Sequence, residues 1–475
     1  MTLGLGSDSG GTRGELPDGT RGDLPEGWAR ATLGELGEWY GGGTPSKKRP
    51  EFWNDGTIPW LSPKDMGPDV LVATQDLIHE SALDDSPVKL VPAGSVALVV
   101  RSGILERKVP VTYIPFDVTL NQDMKAVVPH EGIDGRWLAW AVRAQEHHIL
   151  ENCRKRGTTV ASLEVPWLMD TEVLVPPAEE QRRIVAEIEQ QISHIEAGEE
   201  ALVDARRLTS ELRSSIADAA VSQHSQSPWT KLQEILREPL RNGVSAKAAP
   251  DGVGVRTLTL TAVTKNDFDS RFTKVTSADP NRVKNLWLED QDIFVQRSNS
   301  AELVGTSAIY RGDKNWAIYP DLLIRVRVDQ SRALPEYVAL ALRTNRILFY
   351  FRQNARGLSG SMPKIDQTTI DNVDFPLPSL PRQRETVEWV MQQEAAIAPL
   401  AASVIAAQEE STELRAALLH AAFTGTLVPQ NPADEPASAL LDRIRAARAT
   451  AQAAPRKRTP RKPRTAPPGQ EELPQ

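Results

Sequence analysis

A single cysteine among 475 residues, Cys153, leaves no partner for a disulfide and no set of thiolates for a structural zinc site. A buried, unreactive thiol is the expectation for it. No apolar run approaches the roughly 20 residues that a membrane span needs, and no charged-then-apolar leader opens the chain, so a cytoplasmic protein is expected. A basic excess is also missing. Charged residues make up 25% of the chain and the net charge is −8, so any surface that neutralises nucleic-acid phosphates must be local. The charge is segregated accordingly, with Glu179, Glu180, Glu187, Glu189, Glu196, Glu199, Glu200 and Asp204 gathered on one predicted helix.

Catalytic motifs are absent too. Gly41-Gly42-Gly43-Thr44 lacks the Lys-Ser/Thr pair of a phosphate-binding loop, and Gly4-Leu5-Gly6 lies in a low-complexity leader. Methyl transfer to a flipped base uses an Asn or Asp followed by Pro-Pro and an aromatic, and Asn431-Pro432-Ala433-Asp434 is no substitute. Asp117 and Asp123-Met124-Lys125 hold the residue types of a metal-dependent nuclease. The matching stretch of the second half, Tyr319-Pro320-Asp321-Leu322-Leu323, has no lysine, so a structural carboxylate in a strand-entry turn is expected instead. His147 and His148 are adjacent on a predicted helix and face different ways, which argues against a shared metal. No catalytic residue and no metal ligand is assigned.

What the chain does contain is a long internal repeat. At an offset of 202, Pro176 matches Pro378, Gln181 matches Gln383, Ile195 matches Ile397 and Glu211-Leu212-Arg213 matches Glu413-Leu414-Arg415. With small shifts the echo extends upstream to Arg156-Gly157 and Arg356-Gly357, Arg101 and Arg297, and Trp28 and Trp229. The layout is module, helix, module, helix. It predicts a leader at 1–23 without a packed core, modules at 24–175 and 223–377, long helices at 176–222 and 378–425, and a mostly disordered basic tail at 426–475 carrying one short helix near Ala439 to Arg448.

Each long helix starts after a proline-rich stop and carries a series of residues seven apart, Ile188, Ile195, Leu202, Thr209 and Ile216 in the first and Val390, Ile397, Val404, Ser411 and Leu418 in the second, apolar except for Thr209 and Ser411 in the same slot. Leu212, Leu400 and Leu414 fall three residues after members of these series and complete an expected a/d seam. A helix of about 45 residues spans roughly 65 Å, too long to be covered by one small module. The two are therefore expected to pair as an antiparallel coiled coil, with the modules at opposite ends of a rod. The modules read as mixed α/β (α+β), short β-rich runs such as Ser95 to Val100 and Asp321 to Val328 alternating with turns. Helix is expected near Trp137 to Cys153 and Pro335 to Gln353.

Basic and hydroxylic loops are the remaining candidates for chemistry. Lysine and arginine neutralise phosphates, and Thr, Ser and Asn on turns reach base edges. In the first module these are Thr44, Ser46, Lys47, Lys48, Lys64, Arg101, Lys108, Arg154, Lys155, Arg156, Thr158 and Thr159. In the second they are Arg241, Arg297, Asn299, Arg352, Arg356, Ser359, Ser361 and Lys364. A module duplicated but diverged in its loops suits the reading of two different sequences. The competing reading is a coiled-coil scaffold that reads no sequence.

Leu24-Pro25-Glu26-Gly27-Trp28, Gly43-Thr44-Pro45-Ser46, Ile58-Pro59-Trp60-Leu61-Ser62, Pro176-Pro177-Ala178-Glu179-Glu180-Gln181-Arg182-Arg183-Ile184 and the helix end Ala416 to Gly425 give the chain, over nearly its whole length, a resemblance to the DNA-specificity subunits of type I restriction-modification systems. The resemblance implies two target-recognition domains, each reading half of a bipartite double-stranded DNA site, with the helices setting the spacer between the halves. It implies two methyltransferase subunits carrying S-adenosylmethionine, restriction subunits where DNA is cleaved, and no cofactor in this chain. The second module departs from the pattern: it opens at Ser227-Pro228-Trp229 and has no clear Gly-Thr-Pro-Ser turn.

Overall fold

The computed structural model describes residues 24–155, 157, 159–357 and 362–453. The leader, the tail beyond 453, and the candidates Arg156, Thr158, Ser359 and Ser361 lie outside the described residues. The chain divides into two units. One comprises residues up to Ala197 together with those from Ser411 onward, and the other runs from Gly198 to Glu410.

The first unit is built on a four-stranded antiparallel sheet in the order Gly37–Gly41, Met124–Pro129, Ser95–Val99, Val111–Ile114. Ser95–Val99 is buried along its whole length, which accounts for its unbroken apolar run where a half-exposed strand would alternate. Helix Gly135–Ala144 packs Trp137, Leu138, Trp140 and Val142 into the same core. Asp134 caps it, accepting hydrogen bonds from the Arg136 and Trp137 amides at 2.8 and 2.9 Å.

The second unit repeats this frame: Arg241–Asn242, Leu323–Val326, Ile293–Gln296, Ser307–Ile309, again antiparallel and in the same spatial order. In each module the opening and closing segments zip together, Ala29–Thr32 with Glu172–Val175 and Trp229–Lys231 with Asp374–Pro376. The modules diverge outside the shared frame. The first carries a further four-stranded sheet, Asp76–Ile78, Ile58–Leu61, Val118–Leu120, Leu90–Val91, where the second has an antiparallel pair, Val255–Leu258 with Thr273–Thr276.

Each expected module helix is divided in two, Gly135–Ala144 and Glu146–Asn152 in the first, Pro335–Leu342 and Asn345–Asn354 in the second. At the second break Thr344 turns extended and its hydroxyl bonds back to the Ala341 carbonyl at 2.7 Å, so the backbone cannot continue the helix. Short helices such as Val165–Met169, Leu260–Lys265 and Gln367–Asp371 also occur, too brief to show a period in sequence. Trp28 and Trp229 match in sequence but not in setting. Trp28 is buried and donates to Glu180 at 3.1 Å, whereas Trp229 is 48% exposed.

The repeated glutamines show why the long helices begin where they do. Gln181 is fully buried near the start of Ala178–Ser222; its Oε1 accepts the Asp134 amide at 2.8 Å and its Nε2 donates to the Pro176 carbonyl at 3.0 Å. Gln383, at the start of Leu380–Phe423, accepts the Leu334 amide at 2.8 Å and donates to the Pro378 carbonyl at 2.8 Å. One amide side chain thus fastens each helix to the loop ahead of a module helix.

Within each unit the start of one long helix lies with the end of the other, so the pair runs antiparallel. Ile188, Ile195 and Leu418 are buried in the first unit, and Ile216, Val390, Ile397 and Val404 in the second; Leu202 is half-buried. The second row of the seam follows this series by four residues and not by three. Ile192, Ala220 and Ala422 are buried, while Leu212 and Leu414, expected in the seam, are 47% and 55% exposed, and Leu400 is exposed as well. Charged residues pair across the helices, Arg213 with Glu394 within that row at 3.0 Å, and Arg415 of that row with Glu196 outside it at 3.9 Å. An 18-residue window of Leu380–Phe423 is apolar enough, by length and composition, to cross a membrane, contrary to the sequence expectation. This helix is a partner in the coil, not a membrane span: its apolar seam residues face the helix Ala178–Ser222.

The C-terminal helix is longer than expected, Ala437–Ala453, and belongs to the first unit. Leu440, Leu441 and Ile444 enter that core, Arg445 pairs with Glu35 at 3.0 Å, Arg448 donates to the Gly34 carbonyl at 3.1 Å, and Asp434 ahead of the helix pairs with Arg183 at 2.7 Å.

Candidate nucleic-acid interface

Four segments of the first module meet at one end of its main sheet. The turn Asn121-Gln122-Asp123 is held by the Asn121 amide donating to the Leu61 carbonyl at 2.8 Å and by the Asn121 side chain accepting the Asp123 amide at 2.8 Å. Against it lies the glycine turn. The Gly43 amide donates to the Leu120 carbonyl at 2.8 Å, and a Cβ on Gly42 would fall 1.8 Å from the Asn121 carbonyl oxygen, so only glycine fits. This approach sets Thr44 beside Gln122, to whose Oε1 its hydroxyl donates.

On the other side of the turn, the amides of Val100 and Arg101 donate to the Asp123 carbonyl, and Arg101 Nε is 2.9 Å from Asp123 Oδ1. The segment 154–163 closes the group. Ser102 donates to the Ala161 carbonyl at 3.0 Å, Leu163 to Val100 at 2.8 Å and Lys155 to Ser162 at 2.8 Å. Thr44, Arg101, Arg154, Lys155 and the exposed Thr159 are thereby brought into one surface. Arg154 pairs with Glu106 at 2.6 Å and Lys155 with Glu164 at 3.6 Å.

The remaining candidates of this module are placed less centrally. Lys47 and Lys48 are exposed in the turn after Thr44, where the Ser46 carbonyl accepts from Trp53 Nε1 at 3.3 Å. Lys64 is tied to Asp76 at 2.8 Å beside the accessory sheet, and Lys108 is exposed after the turn Gly103–Glu106.

The second module reproduces the arrangement with different side chains. Val244 donates to the Tyr319 carbonyl at 3.1 Å, and a Cβ on Gly243 would lie 2.1 Å from that oxygen, the counterpart of the Gly42 contact. The Arg297 amide donates to Leu322 at 2.8 Å, and the Arg297 carbonyl accepts from Ile365 at 2.9 Å. Arg356 and Lys364 exchange backbone bonds of 2.8 and 2.9 Å. Arg241, Arg297, Arg356 and Lys364 therefore share one surface. Arg241 Nε, Arg297 Nε and Ser298 Oγ are buried there without a hydrogen-bond partner among the described residues. Asn299 is turned back to Gln296 at 2.6 Å, and Arg352 reaches the Glu302 carbonyl at 2.9 Å.

Gln122 is not among the sequence candidates, and no clear glycine turn was expected in the second module, where the structure nevertheless has one. Asn242-Gly243 is that turn, with Ser245 and Lys247 following Gly243 as Thr44 and Ser46 follow Gly42; the Asn-Gly pair was the available signal. The groups weighed for other chemistry are structural. Asp117 accepts the Ala93 amide at 2.9 Å; His147 pairs with Glu151 at 3.3 Å, while His148 contacts Asn152. Among the described residues no three His, Cys, Asp or Glu side chains are placed to share a metal ion. Cys153 is buried, and burial pushes its thiol above the usual range despite the Thr171 hydroxyl at 3.7 Å, so it is a poor nucleophile.

Two modules thus share one scaffold, and each gathers cationic and hydroxylic side chains on its loops. Residues 25–204 match the family model of the type I restriction modification DNA specificity domain. Over 154 residues the chain is 48% identical to the specificity subunit of the Escherichia coli type I restriction enzyme EcoR124I/EcoR124II, a match spanning 32% of this chain and 38% of that protein. The specificity subunit of the Salmonella potsdam enzyme StySPI is 25% identical over 92% of this chain and 97% of its own length. A chain from a solved type I restriction-modification assembly shares the fold, with a TM-score of 0.58 at 18% identity over 85% of this chain and 99% of that one. The chain belongs to the specificity subunits of type I restriction-modification systems. In this family the subunit recognises the target sequence and is non-catalytic, and S-adenosylmethionine is held by the methyltransferase subunit and not by the specificity subunit.

Proposed function

We propose that each module reads one half of a bipartite double-stranded DNA site, the first through the loops bearing Thr44, Ser46, Lys47, Lys48, Arg101, Arg154, Lys155 and Thr159, the second through those bearing Arg241, Ser245, Lys247, Arg297, Arg356 and Lys364. One observation carries this reading: the same sheet order and the same lacing of loops recur in both modules, while the side chains on those loops differ. A duplicated scaffold with unlike loops suits two unlike half-sites, whereas a scaffold protein would have no use for the duplication. The long helices dock two methyltransferase subunits and set the spacer between the half-sites, and restriction subunits join where DNA is cleaved. Exposed apolar residues of the second unit's coil, Val203, Leu208, Leu212, Met391, Leu400 and Ile405, support a role in subunit docking. The complex works in the cytoplasm, where its DNA is.

The test is binding by the chain assembled with its methyltransferase, measured against duplexes with and without the recognised sequence across a salt series. Specific binding that exceeds nonspecific binding at every salt is the expected result. Equal affinity for all duplexes would favour the scaffold reading.

A further inference from the structure

Arg101 is held at one end and free at the other. Its Nε sits 2.9 Å from Oδ1 of Asp123, the arginine side chain 60% and the aspartate side chain 22% exposed. The contact is ionic more than a hydrogen bond, since Asp123 Oδ1 accepts no aligned donor. Among the described residues Nη1 and Nη2 make no hydrogen bond. An exposed pair of this kind adds little to stability. What it does is anchor a guanidinium beside Asp123 at the centre of the proposed interface. Resting on the reading of the modules given above, the geometry points to Arg101 as the residue that reads a guanine in the first half-site, with Asp123 as its positioning residue.

The chemistry selects the base. Two parallel N–H donors are both satisfied by the O6 and N7 acceptors of guanine; adenine sets a donor beside its N7, and neither pyrimidine offers two acceptors on its major-groove edge. A phosphate could also take the fork. The Asp123 carboxylate argues against that, because it would stand within a few ångströms of a second anion, whereas a base edge carries no net charge. The second module lacks this device. Leu322 accepts the Arg297 amide where Asp123 accepts that of Arg101, and Arg297 makes no ion pair among the described residues. The inference is accordingly confined to the first half-site.

The experiment uses the chain assembled with its methyltransferase and a set of duplexes in which each position of the first half-site is varied in turn. The wild-type complex is expected to require guanine at one position by roughly 10- to 100-fold, and Arg101→Ala to abolish that preference while leaving every other position and the second half-site unchanged. Replacing that guanine by 7-deazaguanine, which lacks the N7 acceptor, should weaken the wild type roughly tenfold and leave Arg101→Ala unaffected. Asp123→Asn should lower the guanine preference without altering the salt slope, and Asp123→Glu should restore part of it. The intact second-half preference reports that each variant is folded. If Arg101→Ala weakens all duplexes equally and lowers the salt slope by about one, Arg101 contacts phosphate and the inference is wrong. If the wild type shows no preference in either half, the reading of the modules fails instead.

Discussion

Single side chains fix both the start of the long helices and the hold of the C-terminal helix. Replacing Gln181 or Gln383 by alanine leaves a buried amide, that of Asp134 or Leu334, without an acceptor, and each change is expected to lower stability by about 1–3 kcal/mol in urea unfolding. The two share no partner, so their effects should add. Glu35 titrates in a mixed setting. Burial opposes its ionisation and is the largest single influence, but the Thr32 amide and Arg445 together outweigh it and hold the carboxyl below its ordinary range. A depressed carboxyl contributes stability that is complete above its ordinary pKa and lost as pH falls through the depressed one. The urea midpoint of Glu35→Gln should therefore lie below wild type at pH 7 and converge on it in acid. The sequence marked both glutamines through the repeat and both arginines of the proposed interface, Arg101 and Arg297. It could not mark the Asp123 contact, because that pair forms only when the turn at 121–123 is folded against the strand ahead of Arg101.

Between elements, period carried most of the information. A residue spacing of seven identified the long helices and one full row of their seam, since apolar residues at Ile188, Ile195, Ile397 and Val404 have no other reason to recur. The second row escaped because it is filled by Glu394, Ala401, Gln408 and Arg415, while conspicuous leucines stand one position away in the open. Burial now separates the two sets. Ile188→Ala is expected to cost about 2–5 kcal/mol, whereas Leu212→Ser and Leu414→Ser should stay within about 0.5 kcal/mol of wild type, as read from denaturation midpoints. The accessory strands of the first module were beyond reach for another reason. Leu90–Val91 and Asp76–Ile78 are two and three residues long and gain their pairing only from Val118–Leu120 and Ile58–Leu61, distant in sequence.

As a whole molecule the chain supplies recognition and leaves the chemistry to its partners. Rigorously purified, it is expected to transfer no labelled methyl group to DNA, and to do so only when the methyltransferase is added. In the proposed function the two modules read independently. The direct measurement is methylation mapping, in cells that express the chain with its methyltransferase, for the wild type and for two variants with Thr44 to Lys48 or Ser359 to Lys364 replaced. The account predicts that the first replacement alters one half of the methylated sequence and the second alters the other, with the spacer kept in both. A replacement in one module that changed both half-sites together would contradict it.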